Sequence, residues 1–169
     1  MTFRCSIRAP LSALAFLTMT AGALHAAPTL IAIPDIGFTD SSGEPRDQAA
    51  EHSARQKALT DGLRRDVGEG GQLESLSLDC GTGCTLDAAG VDRLRQRARE
   101  AGAAYVLVGS VHKMSTLVMS MRLAVLDTST GKLVLERLLS FRGDNDEGWR
   151  HMGTFVARDV TEKLGAPGK

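Results

Sequence analysis

The chain has 169 residues, of which 43% are hydrophobic, and its 20 Lys and Arg residues balance 20 Asp and Glu residues. This composition is that of a globular protein, and the length suffices for one domain to bury a core without disulfide or metal support. Because the chain is neutral and has no concentrated basic segment, nucleic acid is excluded as an expected partner, as is an anionic membrane surface.

Residues 1–26 have the pattern of a secretory signal peptide. Arg4 and Arg8 precede an apolar stretch over residues 11–24, and small residues allow cleavage after Ala23 or Ala26. The stretch is shorter than the roughly 20 residues of a membrane-spanning helix, so no stable membrane insertion is expected. We therefore predict export to the periplasm.

Removal of this leader takes away Arg4 and Arg8, which leaves 18 basic residues against 20 acidic ones. The mature chain is predicted to form a single domain over residues 27–165, with a flexible tail over residues 166–169.

The first half of the domain predicts two strands and two helices. Residues 29–38 are apolar and β-branched and predict a buried strand, and residues 72–78 predict a short edge strand. Between them, residues 46–67 predict a helix whose apolar stripe combines alanines with larger residues. Asp87 is predicted to cap a second helix that ends at Gly102. The members of the first helix's stripe are Ala50, Ala54, Ala58, Leu59, Leu63 and Val67.

The second half predicts three antiparallel strands and a last helix. Residues 104–114 and 117–127 form a hairpin around a two-residue turn, and residues 132–141 follow after a second turn. The last helix begins near Asp144, with Asp144 as its cap and Glu147 as the N3 acid, while Asp146 adds charge favoured by the helix dipole. Its predicted apolar face comprises Trp149, Met152, Val156, Val160 and Leu164.

The element order is therefore β-α-β-α-β-β-β-α. It predicts an α/β domain of the α+β type, in which a single mixed sheet packs against three helices.

Two segments carry a family resemblance. The run AGAAYVLVGS at residues 101–110 leads into a hairpin, and DTSTGK at residues 127–132 follows it. Together with the element order, they resemble the N-terminal domain of the TolB family and the related CsgG and penicillin-binding-protein activator domains. The segment RGDNDEGWR at residues 142–150 is similar to a family of small proteobacterial periplasmic proteins of unknown function, some of which lie near quinoprotein alcohol dehydrogenase genes.

The resemblance implies a TolB-like fold and a non-catalytic accessory module that contacts another protein of the cell envelope. No cofactor is expected, and the chain has no G-x-S-x-G, Walker or G-x-G-x-x-G motif after a strand. Trp149, the only tryptophan, and Arg150 are the first candidates for a partner contact, provided that Trp149 is exposed.

Cys80 and Cys84 are the cysteines that remain after cleavage. In an oxidising compartment two cysteines this close are predicted to form a disulfide, because Gly81 and Gly83 allow the tight turn between them. The alternative is a thiol-disulfide redox pair, since Cys84 precedes a helix whose N-terminus would lower a thiol pKa.

A periplasmic small-ligand or copper carrier is the other alternative function. With the two-residue turn, His112, Met114, Met119 and Met121 would share one strand face and offer soft ligands for Cu(I). The same face would continue through Val106, Val108, Leu123 and Val125, which favours core packing, with Lys113 on the opposite, solvated face. His52 is expected to be solvated.

Overall fold

The structure is a computed structural model that describes residues 27–79 and 85–165. The leader, the two cysteines and the predicted tail lie outside these residues. In chain order the described elements are β1 (Thr29–Pro34), β2 (Gly37–Asp40), α1 (Ala49–Gly68), β3 (Leu73–Leu78), α2 (Ala88–Glu100), β4 (Tyr105–Lys113), β5 (Val118–Asp127), β6 (Leu133–Arg142) and α3 (Asp146–Gly165).

One mixed sheet of six strands organises the described part of the chain. Its order is β3-β1-β4-β5-β6, with β2 also paired to β4. The pairs β3-β1, β1-β4 and β2-β4 are parallel, whereas β4-β5 and β5-β6 are antiparallel. The predicted α+β class and the single mixed sheet are confirmed, and β3 is the edge strand that its sequence indicated.

The predicted first strand is divided into β1 and β2. β1 ends at Pro34, whose ring removes a backbone donor, and β2 then pairs with the later part of β4. Between β1 and β2, side chains of α1 form hydrogen bonds with backbone groups that lack a strand partner. The Gln56 side chain donates to the Ile36 carbonyl at 2.6 Å, the Ile36 amide donates to Thr60 Oγ1 at 3.1 Å, and Arg64 donates twice to the Ile33 carbonyl. Helix side chains four residues apart thus replace missing strand hydrogen bonds.

The two faces of the sheet support two cores. Helices α1 and α3 cover one face, where the largest cluster includes Ile31, Leu107, Met121 and Trp149. Helix α2 covers the other face over β1 and β4, where Ala32, Val106 and Leu94 belong to a smaller cluster. Alternate residues of β1 and β4 therefore point into different cores.

Helices α2 and α3 follow their predicted patterns more closely than α1 does. Asp87 caps α2, because its carboxylate accepts from the Gly90 amide at 2.7 Å. The predicted apolar face of α3 is buried, with Leu164 partly so. In α1 the stripe prediction was half wrong: Leu59, Leu63 and Val67 are buried, but the alanines at 50, 54 and 58 are exposed.

The predicted turn between β4 and β5 was also wrong. Four residues, 114–117, connect the strands, so His112 pairs with Ser120 and Lys113 with Met119. This shift by one residue reverses the faces. Val106 and Val108 point towards α2, whereas Met119, Met121, Leu123 and Val125 point towards α1 and α3.

Gly109 allows β4 and β5 to approach closely. A Cβ atom added there would lie 2.9 Å from the Arg122 carbonyl oxygen and 3.2 Å from the Leu123 Cβ.

We expect Gly109→Ala to lower the free energy of unfolding by about 1–3 kcal/mol, because two paired strands must separate to admit the methyl group. Urea denaturation measures the change. The matched control is Gly68→Ala in α1, where an added Cβ meets no atom within 4 Å. Equal stability of Gly109→Ala and the wild type would contradict the expectation.

Candidate functional site

A group of buried and partly buried ionisable side chains lies at the end of the sheet where β4 stops and α3 begins. Lys113 is the last residue of β4, His52 and Arg55 share one face of α1, and Asp144 lies between β6 and α3. Glu44 comes from the loop between β2 and α1. These five residues, called the ionic cluster below, bring four separate segments together.

Asp144 is the centre of the ionic cluster. His52 Nε2 and Lys113 Nζ each lie 2.8 Å from its Oδ2. Arg55 Nη1 donates to Oδ1 at 2.9 Å and Trp149 Nε1 donates to the same oxygen at 3.2 Å. A carboxylate offers about four acceptor positions, so Asp144 is saturated by groups of the protein itself.

Lys113 is equally enclosed. Its ammonium group pairs with Asp144 and with Glu44 Oε2 at 3.0 Å, and Gln48 Oε1 is a third acceptor. The three donors of the ammonium group therefore all have partners. The Lys113 side chain is only 1% exposed. The second Glu44 carboxylate oxygen makes no hydrogen bond of ordinary geometry, although the Thr116 hydroxyl is near enough to lower the Glu44 pKa.

The cluster shifts the pKa values of its two central groups away from neutrality. Burial of Asp144 acts to raise its pKa, but the hydrogen bonds from His52, Lys113 and Trp149 prevail and hold it well below 3.8. Burial likewise acts to lower the pKa of Lys113, but its bonds to Asp144 and Glu44 raise it above 10.5. Both groups therefore stay charged at neutral pH.

Aromatic rings border the ionic cluster. The Phe38 ring centroid lies 4.6 Å from that of His52 and 5.6 Å from that of Trp149. Such apolar cover lowers the local dielectric and strengthens the enclosed ion pairs. All hydrogen-bonding positions of Asp144 and Lys113 are occupied by protein groups, and aromatic rings border the cluster. The two residues therefore connect β4 to the start of α3 and leave no open position for a substrate.

The structure corrects three predictions about these residues. His52 and Lys113, expected to be solvated, are buried. Asp144 was expected to cap the last helix, but the cap is Asn145, whose side chain accepts from the Gly148 amide at 2.8 Å. His52 and Lys113 resemble surface residues in sequence, because the signal for their burial is a partner distant along the chain.

The structure does not bring together the four residues of the copper alternative, His112, Met114, Met119 and Met121. Met119 and Met121 are fully buried between the sheet and the helices. His112 points to the opposite face, where its Nε2 lies 2.7 Å from Ser41 Oγ, and Met114 lies in the β4-β5 loop. Within residues 27–79 and 85–165, no group of three or more His, Cys, Asp or Glu side chains is placed to hold a metal ion.

A groove of about 450 Å³ runs between α1 and α3 on the outer surface. Ala54, Ala58 and Gly62, four residues apart on α1, line one wall, and Gly153 lies on α3 opposite them. These are the alanines that the sequence pattern assigned to the core. Their small side chains leave room between the helices, and we call this surface the α1–α3 groove.

Trp149 and Arg150 both line the α1–α3 groove, but they differ in exposure. Trp149 is only 2% exposed. Its predicted partner contact required an exposed side chain, and that requirement is not met. Arg150 is exposed, and among the described residues no carboxylate forms an ion pair with it. Arg65 also lines the groove and pairs with Asp66, its neighbour in sequence, while 67% of its side chain stays exposed.

A family model described as a protein of unknown function (DUF2380), and named DUF3280, matches residues 29–160. The chain belongs to the DUF3280 family. The expectation that it is a member of a family of unknown function is therefore confirmed. No curated protein matches the chain.

Solved structures with little sequence identity share the fold. The PelC dodecamer from Paraburkholderia phytofirmans superposes with a TM-score of 0.52 at 18% identity, covering 88% of this chain and 96% of that one. The hypothetical protein CT253 from Chlamydia trachomatis has a TM-score of 0.51 at 14% identity, covering 80% and 95%.

In the described part of the chain, none of the helices has the length and apolar character required to cross a membrane.

We expect Asp144→Asn to destabilise the protein by about 3–5 kcal/mol, because it leaves buried Lys113 and partly buried Arg55 without their central counter-charge. Chemical denaturation at pH 7 measures the effect. The control is Asp159→Asn, which breaks the more exposed pair with Arg137 and should cost less than about 1 kcal/mol. Similar costs for the two variants would show that burial of the cluster contributes little.

The lowered pKa of Asp144 also predicts acid sensitivity. Above pH 3.8 its contribution to the free energy of unfolding is complete, and this contribution is lost as the pH falls towards the lower pKa of the folded state. We expect the unfolding free energy of the wild type to fall more steeply below pH 4 than that of Asp144→Asn. Denaturation curves from pH 2 to pH 7 test this, and parallel curves for the two proteins would contradict it.

Proposed function

We propose that this protein is a non-catalytic accessory module of the bacterial periplasm, which binds another envelope protein through the α1–α3 groove. The observation that carries the proposal is an exposed, preformed groove of small side chains with an unpaired arginine at its rim. The charged groups of the neighbouring ionic cluster, of which Arg55 also lines the groove, are engaged in ion pairs with each other. A binding role therefore fits the surface better than a catalytic one.

The groove suits a helical segment of the partner. Small residues on two adjacent helices leave a channel into which apolar side chains of a third helix can pack. Arg150 has no ion pair within the described residues. The side chain of Arg65 is 67% exposed and pairs with Asp66, a contact of little energetic weight. The proposed occupant is therefore an amphipathic helix that carries a carboxylate beside its apolar face.

The proposed compartment and the proposed partner system rest on the sequence. The leader at residues 1–26 supports export to the periplasm. The similarity of residues 142–150 to small periplasmic proteins makes a quinoprotein dehydrogenase system the first place to seek the partner. The Cys80–Cys84 disulfide remains a prediction, and an oxidising compartment would favour it.

The groove can be filled without disturbing the core. A Cβ atom at position 62 would come within 4 Å of only the Arg65 guanidinium, a flexible group, so a leucine there would project into the groove. We expect Gly62→Leu and Arg150→Glu each to abolish photo-crosslinking to the partner from a probe at position 58. Gly68→Leu, on the same helix outside the groove, should leave the crosslink intact.

The crosslinking is done in intact cells, so that the partner is captured in its own compartment, and circular dichroism checks that the variants remain folded. A crosslink of equal yield from a probe at the exposed Arg99 of α2 would argue against the α1–α3 groove as the binding surface. Persistence of the position-58 crosslink in Gly62→Leu would do the same.

A further inference from the structure

The sheet ends on one side in a long strand with an open edge. β6 contributes ten residues, and within the described chain it pairs with β5 alone. The backbone donors and acceptors on its outer edge therefore pair with no other described strand, and such an edge is the usual template for adding one. The opposite edge strand, β3, is shorter, and the four residues between its ends include Glu74 and two serines.

The surface of β6 has a pattern that suits pairing with itself. On the face that α2 leaves open, Leu138 is 68% exposed and lies between Glu136 and Ser140, followed by Arg142. Neither Glu136 nor Arg142 forms an ion pair with any described residue of its own chain. Glu136 and Arg142 thus carry opposite charges on the same face as the exposed Leu138. Each of the two lies three residues from Leu139, one before it and one after it.

We propose that β6 pairs antiparallel with β6 of a second copy of this chain, with Leu139 facing Leu139 across a two-fold axis. This register places Glu136 directly opposite Arg142 of the second copy, twice by symmetry. Cβ atoms of such directly opposed residues lie about 4.5–5.5 Å apart, close enough for ion pairs. The two Leu138 side chains become diagonal neighbours on the same face and shield each other from water.

The charge arrangement favours a second copy over an unrelated strand. A two-fold interface must be complementary to itself, so each charged residue has to find its opposite on the same strand. Glu136 and Arg142 meet this condition because they are equidistant from Leu139 and point to the same face. The regular part of β6 also suits pairing, because the irregularity in its ladder with β5 lies near its start, opposite Val125 and Leu126.

The test is a charge exchange followed by sedimentation equilibrium on the exported, mature protein. In Glu136→Arg the new arginine faces Arg142 of the second copy, so that two positive charges are opposed at each end of the interface. In Arg142→Glu the new glutamate faces Glu136 of the second copy, so that two negative charges are opposed there. We expect each single variant to raise the dimer dissociation constant at least about tenfold. The double variant Glu136→Arg/Arg142→Glu restores the opposed charges and should return the constant to within about threefold of the wild type.

Glu74→Arg on β3 is the matched control and should leave the dissociation constant unchanged. All these positions are exposed, so thermal unfolding of each variant should match the wild type once dimer concentration is taken into account. A wild-type protein that stays monomeric at about 100 μM overturns the proposal, because a specific dimer is expected to form at that concentration. An assembly that the single exchanges leave intact, or that the double exchange fails to restore, also overturns it.

Discussion

The ion pair between Lys113 and Asp144 is the constraint on which this end of the molecule depends. One charge ends β4 and the other precedes α3, so burying either alone would cost several kcal/mol. Their pairing fixes the hairpin register, because a one-residue slip would turn Lys113 to the opposite face. It also places the start of α3 beside His52 and Arg55 of α1. The two-helix layer is thereby aligned with the sheet.

Features encoded within one element could be predicted from the sequence. Asp87 and the start of α2 lie within one turn, and the apolar face of α3 repeats at helical spacing, so the local pattern contained the answer. The ionic cluster could not be predicted this way. His52 and Asp144 are 92 residues apart, and each resembles a surface residue until the fold brings it to its counterpart. Polar residues are buried by pairing, and pairing is a tertiary property.

The two largest errors have simple physical origins. One was the length of the β4-β5 connection, where two residues were expected and four are found, and side chains alternate with a period of two. His112 and Met119 therefore point to opposite faces of the sheet and cannot share a ligand site. The other error was the assignment of the α1 alanines to a buried stripe. The small side chain of alanine suits a tightly packed core and an open groove equally well, so Ala54 and Ala58 gave no sign of which surface they served.

The side chains of Gln56, Thr60 and Arg64 that complete the ladder at the break between β1 and β2 have a consequence for recognition. They fasten α1 to the sheet by polar contacts at three successive turns, so the helix cannot slide or rotate without orphaning buried backbone groups. One wall of the α1–α3 groove is thus rigid before any partner arrives. Little conformational entropy is lost from that wall on association, so more of the contact energy is available as affinity.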